Sequence, residues 1–337
     1  METRKIQENK SGSYLLTLPK HWVKRHSLGR GSIVGLVVDK DLALKIKPPK
    51  AIQTQPMETT LKLEDYDFDL KLLSGCVKAC YMQGDDTIHI VSDKPINYDL
   101  KRKIRAIFSE FSGMELAEEN PNKMTFKVIV DSAKIPPELL LRRALTLTTS
   151  LQRDAVKSVV ERNCELASEV ISIGGESLKL YRLMIRQLSL AIRNPNLAKE
   201  LGLEVFPDCL IRAVAARDIS RLAYHATAIA KQTFNLKSEI KKPIIDKLIE
   251  LSEFVYEMQK EVYASFFKGD IKLSYDVVKK MDKVKELYDK LLVDIMIRHK
   301  KDIETAISLS MIVREIRRIA GYTVALADTV LSRVFIK

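Results

Sequence analysis

Six cations near the start of the chain, Arg4, Lys5, Lys10, Lys20, Lys24 and Arg25, have a spacing that suggests one kind of chemistry, the neutralisation of phosphates. The first fifty residues hold eleven Lys and Arg against four acids, so +7 of the chain's total of +12 sits in about a seventh of its length. An arginine can present a planar fork to a guanine edge or a phosphate, whereas a lysine acts mainly as a point charge. Charge of this density on one small module implies attachment to nucleic acid, with affinity that falls steeply as salt rises. Trp22 stands among these cations and reads as core packing, the alternative being that it touches DNA with His21.

Other reactive side chains do not assemble into a catalytic pattern. His21, His26, His89, His225 and His299 are scattered, with no H-E-x-x-H spacing. No phosphate-binding loop, G-x-S-x-G elbow or dinucleotide fingerprint is present, so no enzyme is expected. Cys76, Cys80, Cys164 and Cys209 lack paired C-x-x-C spacing and read as free thiols in a reducing compartment. The first residues carry no apolar leader, and no stretch is apolar enough to span a bilayer, so a cytoplasmic location without membrane insertion is expected.

The elements that must position the cations are short. Residues 4–7 and 13–18 read as strands around Ser11-Gly12-Ser13, and Lys20 to Leu28 fits two helical turns ended by Gly29 and Gly31. Residues 33–38 and 42–46 read as a second hairpin around Asp39-Lys40-Asp41. A module of residues 1–50 buries little surface alone, which predicts a homodimer. Pro48, Pro49 and the polar run to Pro56 read as a linker.

Residues 60–132 predict a small α/β domain, with strands at 87–91 and 125–130 and a helix at 98–111. From 136 to 337 the pattern changes to long helices, placed near 137–168, 170–193, 207–233, 238–267, 270–300 and 302–333. They fall into two sets of three, 137–233 and 238–333. Ser220-Arg221-Leu222-Ala223-Tyr224 and Arg317-Arg318-Ile319-Ala320-Gly321-Tyr322 sit at matching places and support an internal duplication. The fold class expected is multidomain α+β, with a β module, a small α/β domain and a six-helix bundle.

Two resemblances carry this further. Lys5 to Pro19, then Lys20-x-Trp22-Val23-Lys24 and Leu28-x-x-Gly31-Ser32-x-Val34, resemble the AbrB/SpoVT swapped-hairpin DNA-binding domain. That resemblance implies interdigitated dimers presenting Arg4, Lys5, Lys10, Lys20, Lys24 and Arg25 to double-stranded DNA. The helical part resembles the PhoU family of phosphate-uptake regulators at Arg186-Gln187-Leu188, at Arg221-x-x-x-His225-Ala226-Thr227-x-Ile229-Ala230 and at Arg318 to Asp328. Their fusion is a pattern associated with archaeal phosphate-responsive regulators.

The resemblance to PhoU proteins also implies a metal cluster held by an acid–x–x–x–Asp motif in the third helix of each repeat. This chain departs from it: Ser220 and Tyr224, and Arg317 and Gly321, occupy those positions. Asp218 and Glu315 lie two residues out, Gly174-Gly175 stand where acids are common, and Asp282 persists in the other repeat. No metal or other cofactor is expected. Arg221, Arg317 and Arg318 could take an anion there, or pair with Asp218, Glu315 and Asp328. The resemblance further implies a partner such as the phosphate transporter's ATPase or a sensor kinase, with Lys179, Arg182, Lys279 and Lys280 as candidate contacts. The functional reading is a DNA-binding transcriptional regulator of phosphate uptake; the alternative is an adaptor without DNA function that inhibits a transporter or kinase.

Overall fold

The computed structural model describes residues 3–38, 43–48, 57–130, 135–203 and 206–334. They belong to two compact units, divided after Pro56. The turn expected at Asp39-Lys40-Asp41 and the linker from Pro49 to Pro56 lie outside the described residues.

In the first unit β1 (Gln7–Glu8) pairs antiparallel with β2 (Tyr14–Leu15). The turn between them is built on Asn9, whose Oδ1 accepts from the Ser11 and Ser13 amides at 3.1 and 2.9 Å. Gly12 supplies the left-handed residue that this turn needs, at φ +78°. Helix α1 (Lys20–Arg25) is shorter than the sequence predicts. It stops before the glycines because Ser27 already turns the chain left-handed, at φ 52°. Strands β3 (Gly35–Val38) and β4 (Leu44–Lys47) form the second hairpin.

The second unit begins with an α/β layer: β5 (Glu58–Lys62), α2 (Leu70–Gln83), β6 (Thr87–Val91), α3 (Tyr98–Phe108), β7 (Met114–Glu119) and β8 (Lys123–Val128). The sheet order is β5-β6-β8-β7, parallel between β5 and β6 and antiparallel elsewhere. Ile88, Ile90, Met124 and Phe126 point to one face and bury against Leu73, Val77, Ile104 and Phe108 of the two helices. This layer has a hydrophobic core of its own and lies in one compact unit with the helices that follow.

Those helices are α4 (Pro137–Val160), α5 (Cys164–Arg193), α6 (Pro195–Glu200), α7 (Phe206–Gln232), α8 (Lys242–Lys268), α9 (Ile271–Lys279), α10 (Met281–Arg298) and α11 (Ile303–Val334). Helix α4 ends earlier than expected, where Arg162 adopts φ 52°. The segment expected as one helix over 270–300 is two, broken at Lys280, and the short α6 is an addition to the expected helices. The paired third helices α7 and α11 pack on one another at the centre of the bundle. Ala215, Ile219, Ala226, Ile312, Ile316 and Ile319 belong to the single core that joins both repeats. No helix among the described residues is long and apolar enough to cross a membrane.

Candidate functional site

All six cations singled out from the first unit are exposed. Lys20 and Lys24, four apart on α1, share one helix face, and Arg25 follows them in the last turn. Positive charge at that C-terminal end is favoured by the helix dipole. Lys10 sits in the Asn9–Ser13 turn, and Arg4 and Lys5 lie on the approach to β1. Trp22 is half-buried against His26, with ring centroids 5.0 Å apart.

None of this unit's residues with a described burial is buried. Ile6, Tyr14, Ile33 and Leu36 are 70%, 73%, 79% and 63% exposed. These apolar side chains are left uncovered at the surface of the unit.

In the second unit a polar cluster sits in the seam between α7 and α11. His225 and Glu315 are almost wholly buried and meet at 2.5 Å between Nδ1 and Oε2. Arg314 donates to the other carboxylate oxygen through Nε and Nη2, at 3.1 and 2.8 Å. Burial raises the Glu315 carboxyl, but hydrogen bonds from His225 and Arg314 outweigh it and hold the group below its ordinary value. The His225 ring also packs on Tyr224 and Tyr322. Nearby on α7, Asp218 is raised by burial against the opposing pull of Arg217 and Arg221.

A second polar cluster fastens the α/β layer to the bundle. Arg186 of α5 is 1% exposed and donates to the Tyr81 and Asp85 carbonyls at 3.1 and 2.6 Å and to Asp86 Oδ1 at 2.7 Å. Arg182 donates to the Glu110 carbonyl at 2.8 Å and pairs with its carboxylate at 3.0 Å. Gly84 ends α2 at φ +109°, and a Cβ there would stand 2.7 Å from Leu190 of α5.

Comparison with known proteins accounts for both units. A family model described as the PhoU domain matches residues 141–233 and 248–330, more than half of the chain. The chain belongs to the PhoU family. A second model, described as "Antidote-toxin recognition MazE, bacterial antitoxin", matches residues 11–54, so the N-terminal domain is of the MazE/AbrB type. Among solved structures, PhoU from Pseudomonas aeruginosa is 19% identical, with a TM-score of 0.52, over 59% of this chain and 95% of its own. The phosphate transport system regulatory protein PhoU from Streptococcus pneumoniae is 15% identical, with a TM-score of 0.48, over 58% of this chain and 91% of its own. No curated protein matches the chain significantly.

The residues present do not fit the metal cluster that the PhoU family implies. Ser220 turns its hydroxyl back to the Arg217 carbonyl, at 2.6 Å, and Tyr224 is more than half exposed. Arg317 lays its guanidinium over the Tyr288 ring, 4.7 Å from the centroid, and Gly321 offers no ligand atom. Glu315 is already engaged by His225 and Arg314, and Asp282 pairs with Lys285 at 3.0 Å on the surface. Among the described residues, no group of three or more potential ligands converges.

The three arginines considered for an anion are not gathered together. Arg317 and Arg318 line one shallow groove with Arg314, which Arg221 does not line. The pairing of these arginines with Glu315 was an alternative; its acceptor atoms go instead to His225 and Arg314. Of the candidate partner contacts, Arg182 is turned inward to Glu110 and Phe111 and is no surface charge. Lys280 pairs with Glu261, Lys179 with Glu176 and Lys279 with Asp276. Sequence reasoning missed the roles of Arg186 and Glu315, although Arg186 and His225 both lie in the segments that carry the PhoU resemblance.

Proposed function

We propose that this chain is a non-enzymatic, DNA-binding regulator of phosphate uptake, dimeric through its N-terminal module. The observation that carries the reading is the union in one chain of an exposed, strongly basic hairpin–helix module with a PhoU bundle. The uncovered Ile6, Tyr14, Ile33 and Leu36 support dimerisation, since burying such side chains contributes about 1.5–3 kcal/mol each. Exposed Lys20, Lys24 and Arg25 on one short helix, with Arg4, Lys5 and Lys10 on the adjoining hairpin, suit contact with successive phosphates of a duplex. The PhoU bundle would be the sensing and partner-contacting part, with the transporter's ATPase or a sensor kinase as the class of partner.

A gel-shift assay of the full chain on duplex DNA tests this reading. The intact protein is expected to retard the duplex, and Lys20→Glu with Lys24→Glu to abolish the shift while leaving the fold intact. An unshifted duplex, with a phosphate-transporter ATPase subunit co-purifying, would replace the reading with that of the DNA-independent adaptor.

A further inference from the structure

We propose that the groove between α10 and α11 docks an acidic amphipathic helix of a partner protein. The proposal rests on the regulatory reading above and deepens it by naming the partner's chemistry. Val293, Met296, Ile297, Ile307 and Met311 are exposed large apolar side chains that line one open groove of about 560 Å³. Tyr288 and Arg314 line both this groove and a second of about 540 Å³, where Arg317 and Arg318 join them. The combined trough follows α11 from Ile307 to Ala325, about 27 Å of helix at 1.5 Å per residue. It is apolar at one end and carries three arginines at the other.

The internal duplication indicates what such a face receives. Counting from Cys164 and Ile271, the first residues of α5 and α9, Arg186 and Leu190 correspond to Val293 and Ile297. On α5 that face is covered by a helix: α2 lies against it, its Gly84 end in close approach to Leu190 and the following Asp86 paired with Arg186. On α10 the corresponding face is open. A helix of similar length laid there would bury its own apolar stripe, in the helix-in-groove mode of peptide recognition.

Charge selects the occupant. Arg317 and Arg318, exposed on α11, call for carboxylates at one end of the incoming helix, beside Arg314, whose charge is already met by Glu315. A second copy of this chain is disfavoured. Two α11 helices packed antiparallel about a two-fold near Ile307 and Met311 would bring Arg317 and Arg318 of one copy toward the exposed Lys300 and Lys301 of the other, and the single acid met in that register, Glu304, would face Arg314, which Glu315 already holds. Arg314 gives the groove a route inward, because the same guanidinium holds Glu315, which holds buried His225.

Fluorescence anisotropy of the full chain with a labelled amphipathic peptide tests the inference. The probe is a helix of about five turns with leucines at i, i+3, i+4 and i+7 and three glutamates at one end; its twin carries lysines instead. The acidic peptide is expected to bind at least about tenfold more tightly than its twin. Ile297→Asp, an exposed position that should not disturb folding, is expected to abolish binding, and Arg317→Glu with Arg318→Glu to reverse the preference. Equal binding of the twins, no binding, or indifference to Ile297→Asp would overturn the proposal. So would a drop in oligomeric mass of Ile297→Asp on sedimentation, which identifies a second copy, or its selective loss from phosphatidylglycerol vesicles, which identifies a lipid surface. The DNA shift of the same preparation separates the two readings. Failure of the peptide with the shift intact removes the docking alone, whereas absence of the shift strikes the regulatory reading itself.

Discussion

On α5, Arg186 and Leu190 lie beneath α2; on α10, the corresponding Val293 and Ile297 face solvent. The two repeats share a frame of three helical segments and a common core, yet one has its second-helix face occupied within the chain and the other leaves it free. Covering the first face brings a buried charge. Arg186 is tolerable inside only because two carbonyls and a carboxylate receive it, and an unsatisfied charge there would cost several kcal/mol. The second face has no such clamp, and its cations stand on α11 at the groove's rim. A duplicated scaffold thus keeps one copy of a surface for holding the α/β layer and exposes the other.

Substitutions on the two faces should change stability in a graded way. Arg186→Met removes the clamp and strands the Tyr81 and Asp85 carbonyls, so chemical denaturation should show a loss of about 3 kcal/mol. A change of less than about 1 kcal/mol would mean that the α/β layer is held by its apolar contacts. Gly84→Ala forces a Cβ into a left-handed residue and toward Leu190, with an expected loss of about 2 kcal/mol in the same assay.

Glu315→Gln weakens the link between the two third helices by about 1–2 kcal/mol at neutral pH. Because Glu315 is held below its ordinary value, its stabilisation is fully present above the unfolded carboxyl pKa of about 4.3 and is lost as pH falls through the folded value. Denaturation midpoints measured from neutral to acid pH should therefore fall less steeply in the glutamine variant than in the native chain. Val293→Ala is the control on the open face: it should change stability by no more than about 0.5 kcal/mol, since its side chain is mostly exposed.

The legibility of the fold followed from how strongly each segment depends on its own pattern. Thr87–Val91 reads as a strand because its residues alternate, and the long helices are legible because their apolar stripes repeat. Glu58–Lys62 carries no such signal, having one buried apolar residue, Leu61, and so no alternation to detect. Met114–Glu119 is equally silent in the sequence, since it is an acidic edge strand with only Met114 buried. The break at Lys280 has neither Gly nor Pro to mark it.

For the candidate site, the basic residues were legible because charge density is a property of composition. The Arg186 clamp was not, since its carbonyl acceptors lie about a hundred residues away and are fixed only when α2 packs on α5. The His225–Glu315 pair likewise depends on the register of α7 against α11.

If the basic N-terminal module attaches the chain to duplex DNA through its phosphates, as proposed, affinity must fall steeply with salt. The most direct measurement is the salt dependence of affinity of the full-length protein for a duplex, between about 50 and 200 mM salt. Neutralisation of six to eight phosphates predicts a log–log slope of about −5 to −7. Binding that does not change across this range, or no binding at its lower end, would rule out attachment through phosphates.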